Sequence, residues 1–137
     1  MRLVLDASVA VAAARPNEPA HVAARALVTR VLGGHVEIAV PVIFGIEVGA
    51  SLARVGEPIE GVQAYVEALI RVTAELAAMG PRRAKQIRDL AIASRLRAAD
   101  AVYVWLAARE GVPLCTLDRE VLVRGSAFCR VVTPEAL

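Results

Sequence analysis

Aromatic residues and sulfur are scarce in this chain. Phe, Trp and Tyr together make up 4% of its 137 residues, and cysteine occurs twice. Neither stacked rings nor a disulfide framework can therefore organise the fold. Cys115 and Cys129 show no C-x-x-C pairing and no metal-finger spacing, so they read as two free, buried thiols of a cytoplasmic protein. Nothing approaches 18 consecutive apolar residues, which argues against a transmembrane helix. The first fifteen residues are apolar but carry Asp6 and no clustered positive charge, so a buried first strand fits them better than a signal peptide. Lysine is reduced to Lys85, and the net charge of +2 gives no global signature of a nucleic-acid binder. Linkers, repeats and low-complexity tracts are also missing, which predicts one domain over residues 1–137.

What the chain does have is aliphatic mass: hydrophobic residues reach 57%, mostly Ala, Val, Leu and Ile. Residues 1–6 read as a buried strand, 7–14 as a helix stopped by Pro16, and Pro19 to Leu32 as a helix ended by Gly33-Gly34. A second strand is expected at 36–40, then a helix opened by Pro41 and running to Arg54, and another from Pro58 to Ile70. A short strand is expected near 71–74, then helix over 75–95 with a break or restart at Gly80-Pro81. Residues 98–110 have an amphipathic helical stripe, and strands are expected at 112–116 and 130–132. Strands alternating with helices predict an α/β fold, with a central, mostly parallel sheet flanked by helices.

Against this apolar background, four carboxylates stand out. Asp6 ends Leu3-Val4-Leu5, Glu47 interrupts Phe44-Gly45-Ile46 and Val48, Asp100 follows Ala98-Ala99, and Asp118 follows Cys115-Thr116-Leu117. The chain has four Asp in all, so this set holds every one but Asp89. A lone buried carboxylate costs several kcal/mol or becomes protonated. In open α/β sheets the carboxyl ends of the strands, and the starts of the helices that follow them, share one edge where ligands bind. All four acids map to that edge, and an oxygen-only donor set suits a hard cation such as Mg²⁺ or Mn²⁺.

Each acid also has a plain structural reading. Asp6 fits a helix N-cap, Asp100 a first-turn acid favoured by the helix dipole, and Asp118 a turn or cap residue. Glu47 fits a salt bridge to a core arginine. The joint placement of all four at one edge is what favours a shared site. Residues 81–97 concentrate Arg82, Arg83, Lys85, Arg88, Arg95 and Arg97 against the single acid Asp89. This run is a candidate surface for an RNA backbone, or a solvated helix face.

Taken in chain order, Leu-Val-Leu-Asp6-Ala-Ser8, Phe-Gly-Ile-Glu47, Ala-Ala-Asp100-Ala101 and Cys-Thr116-Leu-Asp118 resemble the PIN-domain ribonucleases. The likeness is greatest to the VapC-type toxins of toxin–antitoxin pairs, and it spans the whole chain. The resemblance implies that Asp6, Glu47, Asp100 and Asp118 form an acidic metal site. Asp6, Glu47 and Asp100 would be direct ligands, and Asp118 a ligand or a group that orients water. Ser8 and Thr116 match the small hydroxyl residues that support such a site. It also implies a divalent-metal-dependent endoribonuclease that cuts RNA by metal-activated water, leaving a 5′-phosphate and a 3′-hydroxyl. A cognate antitoxin and a homodimer are the implied partners, with the helices at 41–55 and 58–70 as candidates for the contacts. Gly45 and Gly49, which flank Glu47, are unusual residues for a helix.

Other classes fit less well. A haloacid-dehalogenase phosphatase wants a second Asp two residues after the first, where this chain has Ser8. A receiver domain wants a paired acid near strand one and a late buried lysine, and both are missing. His21 and His35 lie outside the acidic motifs and read as surface or helix-capping residues, and no Ser-His-Asp order is present. The remaining alternative is a catalytically silent module that binds RNA or protein and acts through a partner.

Overall fold

Leu3, Val4 and Leu5 have no solvent exposure, as expected of a strand covered on both sides and flanked by neighbours on both edges. The computed structural model describes residues 1–137 and places this strand, β1 (Arg2–Leu5), at the centre of a five-stranded sheet. The other strands are β2 (Glu37–Pro41), β3 (Glu75–Ala77), β4 (Leu114–Cys115) and β5 (Val131–Val132). Their order is β3-β2-β1-β4-β5, and every pairing is parallel. The chain first builds outward on one side of β1, then crosses to the other side for β4 and β5. The reversal point, where a doubly wound sheet opens a crevice, therefore lies between β1 and β4.

Seven α-helices supply the crossovers: α1 (Ala7–Ala14), α2 (His21–Leu32), α3 (Ile43–Arg54), α4 (Ile59–Arg71), α5 (Pro81–Ser94), α6 (Ala98–Glu110) and α7 (Arg119–Arg124). Helix α6 packs on β1, β2 and β4, with α5 against it, and Ala101 through Leu106 and Ala107 are all buried. Such a helix is apolar all round because it is covered all round. On α3, Phe44, Val48 and Leu52 face the core at a spacing of one helical turn. Gly45 is explained by its neighbour: a Cβ there would lie 3.3 Å from a Val66 methyl of α4, so glycine allows the two helices to approach. Gly49 has looser surroundings, with the nearest Val66 methyl at 4.0 Å.

The α/β architecture expected from the sequence is present, with differences in detail. The strand expected near 71–74 lies at Glu75–Ala77, and the expected helix over 75–95 begins only at Pro81. Helix α4 runs on to Arg71, where the Thr73 hydroxyl closes it on the Leu69 carbonyl at 2.9 Å. Ala74 then donates its amide to Ile38 and starts the pairing with β2. Three residues are too few for a periodicity to show, and Glu75 disguises the strand. Its charge is met from β1 by Arg2 at 3.4 Å. Pro41 ends β2 rather than opening α3, and Pro19 lies in a turn before α2. Helix α7 was not anticipated at all.

Leu106 has no exposure, whereas Val22 on α2 is 81% exposed. Leu106→Ala should therefore cost about 2–5 kcal/mol in urea denaturation, and Val22→Ala no more than about 0.5 kcal/mol. Equal costs would contradict the central position of α6.

Candidate metal centre

The carboxyl ends of β1 and β4, the first turns of α1 and α6, and one face of α3 enclose a cavity of about 360 Å³. Its lining includes Asp6, Ser8, Glu18, Glu47, Ser51, Arg97, Asp100 and Asp118. All four acids singled out in the sequence therefore meet in one place, and they come from four separate segments of the chain.

Asp6 is the deepest, at 7% exposure. Its Oδ2 accepts from the hydroxyls of Ser8 at 2.5 Å and Thr116 at 2.7 Å. Ser8 Oγ also accepts the Leu117 amide at 3.1 Å, and Thr116 Oγ1 accepts the Asp118 amide at 3.1 Å. The two hydroxyls thus tie the end of β1 to the turn after β4. Burial pushes the Asp6 carboxyl above its ordinary range, the two hydroxyl donors pull it back, and the nearby Asp118 charge adds to the rise.

Glu47 faces the cavity one turn before Ser51 on α3. The buried Tyr103 of α6 donates its hydroxyl to Glu47 Oε1 at 2.6 Å. Burial raises the Glu47 carboxyl, with smaller contributions from Asp6 and Asp100. The Tyr103 phenol is pushed well above its usual range, mainly by burial and then by the Glu47 it donates to, so it stays a donor. Sequence reasoning missed Tyr103 as a support for Glu47. Its position three residues after Asp100 on one helix was the available signal.

Asp100 lies in the first turn of α6, and burial raises its carboxyl although Arg97 opposes the rise. Asp118 both lines the cavity and caps α7, accepting the amides of Glu120 at 2.8 Å and Val121 at 3.2 Å on Oδ1. Its Oδ2 accepts from Arg97 Nη2 at 2.7 Å, and Arg97 Nε reaches Asp100 Oδ2 at 3.0 Å.

One oxygen each from Asp100, Asp118 and Glu120 lie within 4.8 Å of one another. Glu120 is an acid that sequence reasoning did not select. It stands outside the cavity lining and is held by Arg124 at 2.9 Å. Asp100 and Asp118 belong to both groupings, whereas no three of the cavity acids bring oxygens that close to one another. The donors of both groupings are carboxylate oxygens and the cavity opens to solvent, which suits a hard divalent cation.

The basic run divides. Arg97 sits in the acidic site itself. Arg83 lies over the Trp105 ring at 5.5 Å and donates to the Ala78 carbonyl, and Arg88 pairs with Asp89 at 3.3 Å. Arg95 ends α5 in the left-handed region, at φ 59°. Arg82, Arg83 and Lys85 stand in the first turns of α5, a helix roughly 20 Å long, whereas Arg97 lies beyond its other end. His21 ties its Nδ1 to the Ala12 carbonyl at 2.9 Å, a helix-end role of the kind expected.

A sequence model of the PIN domain matches residues 3–125. No curated protein matches by sequence. Among solved structures, PAE2754 from Pyrobaculum aerophilum superposes with a TM-score of 0.72 at 19% identity, covering 99% of this chain and 85% of that one. FitAcB from Neisseria gonorrhoeae gives 0.71 at 17% identity, covering 98% and 99%. VapC20 from Mycobacterium tuberculosis, described as a toxin that cleaves the sarcin–ricin loop, gives 0.70 at 14%, covering 91% and 94%. At these identities the likeness is one of fold.

The raised Asp6 carboxyl carries a consequence for stability. A carboxyl whose folded-state pKa is raised penalises the folded protein above that pKa, and the penalty disappears below the unfolded value. Asp6→Asn should therefore raise the melting temperature of the metal-free protein at neutral pH, and the gain should shrink as pH falls through the raised Asp6 value toward the ordinary carboxylate range. A gain that is absent, or that grows on acidification, would show that Asp6 is not a strained charge.

Proposed function

This chain belongs to the PIN-domain family, and we propose that it is a divalent-metal-dependent endoribonuclease, the toxin of a type II toxin–antitoxin pair. The observation that carries the reading is the convergence of Asp6, Glu47, Asp100 and Asp118 on one open cavity at the switch point of the sheet. A divalent cation bound there supplies charge neutralisation for a phosphodiester and a more acidic water. Asp6, Glu47 and Asp100 are the proposed ligands, and Asp118 either joins them or orients the attacking water.

The chain's own groups do the positioning. Ser8 and Thr116 fix one Asp6 oxygen, and Tyr103 fixes one Glu47 oxygen. Asp118 is anchored through Oδ1 by the start of α7, which directs its other oxygen toward Arg97 and the cavity. Such supporting hydrogen bonds hold carboxylates in place for a cation. Arg82, Arg83, Lys85, Arg88 and Arg95 are the proposed contacts to the RNA backbone, along α5 and past its end.

No helix is long and apolar enough to cross a membrane, and we read the protein as cytoplasmic. A cognate antitoxin is the proposed partner, which accords with the fold shared with FitAcB. We also propose a homodimer with contacts from the helices at 41–55 and 58–70. Helices α3 and α4 there expose Ile46 at 70% and Ile59 at 69%. Sedimentation at micromolar concentration should show a dimer, and a monomer alone would count against this assembly.

The test of activity is RNA cleavage with Mg²⁺ or Mn²⁺, abolished by EDTA. Asp100→Asn should lower the rate by about 10²-fold or more. Asp118→Asn should also lower it while keeping the α7 cap, since Asn caps helices as well as Asp does. Replacing Arg82, Arg83 and Lys85 together should weaken RNA binding and flatten its salt dependence. Products ending in 2′,3′-cyclic phosphate would contradict water attack. RNA bound but never cut, with cation present, would leave a silent binding module instead.

A further inference from the structure

Arg97 is the only basic side chain lining the cavity. Its backbone is fixed just before α6, where it is the cap residue, but its side chain is 69% exposed. The guanidinium bridges two segments that have no other charged link, with Nε on Asp100 Oδ2 at 3.0 Å and Nη2 on Asp118 Oδ2 at 2.7 Å. Asp118 has no spare oxygen, because Oδ1 is held by the amides of Glu120 and Val121. Any cation that takes Asp118 as a ligand from the cavity side must therefore use the oxygen that Arg97 now holds. Hard cations need carboxylate oxygens in direct contact, and a divalent ion on that oxygen would stand within a few ångströms of the guanidinium charge, so the two repel and compete for it.

Nothing packs Arg97 in place. The guanidinium stays in water although Asp100 and Asp118 are only 13% and 24% exposed, so the pairs are partly screened by salt, and the long side chain can swing away without disturbing the core. An arginine buried against these acids would block the site permanently; an exposed one only competes for it.

We infer that Arg97 is a displaceable counter-ion: it neutralises Asp100 and Asp118 while no divalent cation is bound, and it is driven off them when a cation binds. Cation affinity is then set by competition with the chain's own guanidinium. The inference rests on the reading of the cavity as a divalent-cation site, and concerns how tightly that site binds.

The experiment titrates Mn²⁺ alone into the full chain, with free ion followed by electron paramagnetic resonance and melting followed in parallel. The proteins are the parent, Arg97→Gln, Arg97→Lys and Arg25→Gln. Arg25 is exposed on α2 and lies outside the cavity lining, so Arg25→Gln removes the same unit charge away from the site. Arg97→Gln should bind Mn²⁺ about tenfold more tightly than the parent, a difference of about 1.4 kcal/mol. It should melt lower without metal and show a larger rise on saturation. Arg97→Lys, which keeps the charge but loses the fork, should fall between them, and Arg25→Gln should match the parent. Unchanged or weaker binding in Arg97→Gln overturns the competition while leaving the cation site standing. Equal tightening in Arg25→Gln overturns it too, by reducing the effect to overall charge. Mn²⁺ binding by none of the four proteins up to millimolar concentration ends this inference and the cation-site reading together.

Discussion

Asp6 is a carboxylate at the end of a strand whose three preceding residues see no water at all. An ionised group there needs compensation of several kcal/mol, and the surrounding architecture supplies it piece by piece. The hydroxyls of Ser8 and Thr116 converge on one Asp6 oxygen, and each also accepts a backbone amide from the turn after β4. The register of β1 against β4, the burial of Thr116 and the path of the chain into α7 are all joined to that one carboxylate. The acid-lined cavity is the outward continuation of the same arrangement. Its inner acid is held by neutral donors, and its outer pair by an arginine.

Much of this was legible in the sequence because the relevant signals were either long or anomalous. A continuous apolar run ending in Asp6, and an acid inside the apolar stretch around Glu47, are anomalies that only a shared site explains economically. Helix α6 was visible because its apolar residues extend over several turns, although they cover the whole helix rather than one stripe. Strand β3 was not, since three residues carry no period and Glu75 looks like a helix residue until Arg2 of β1 is beside it. Helix α7 escaped for a related reason: it has six residues, and much of its definition comes from the Asp118 cap, a residue already assigned to the cavity.

The site was less legible in its supports than in its acids. Tyr103 looked like one more core residue of α6, and only the fold brings α3 alongside so that its hydroxyl meets Glu47. Arg97 belonged, in the sequence, to a basic run that invited a single role. The αL residue Arg95 ends α5, and the chain turns there, separating Arg97 from the arginines before it and delivering it to the acids. Neighbours in sequence thus face different partners because a turn falls between them.

The hydroxyl that secures Asp6 belongs to a residue 110 positions downstream. Synthesis proceeds at about 5–20 residues per second, so the central strand exists for roughly 5–20 s before Thr116 is made. During that interval β1 can already pair with β2, through Arg2↔Glu37 and Leu3↔Ile38, but Asp100 and Asp118 have yet to join Asp6 and Glu47. In the nascent chain, that topology is a timer. The four acids are brought together last, after the translating ribosome has finished with nearly all of the message.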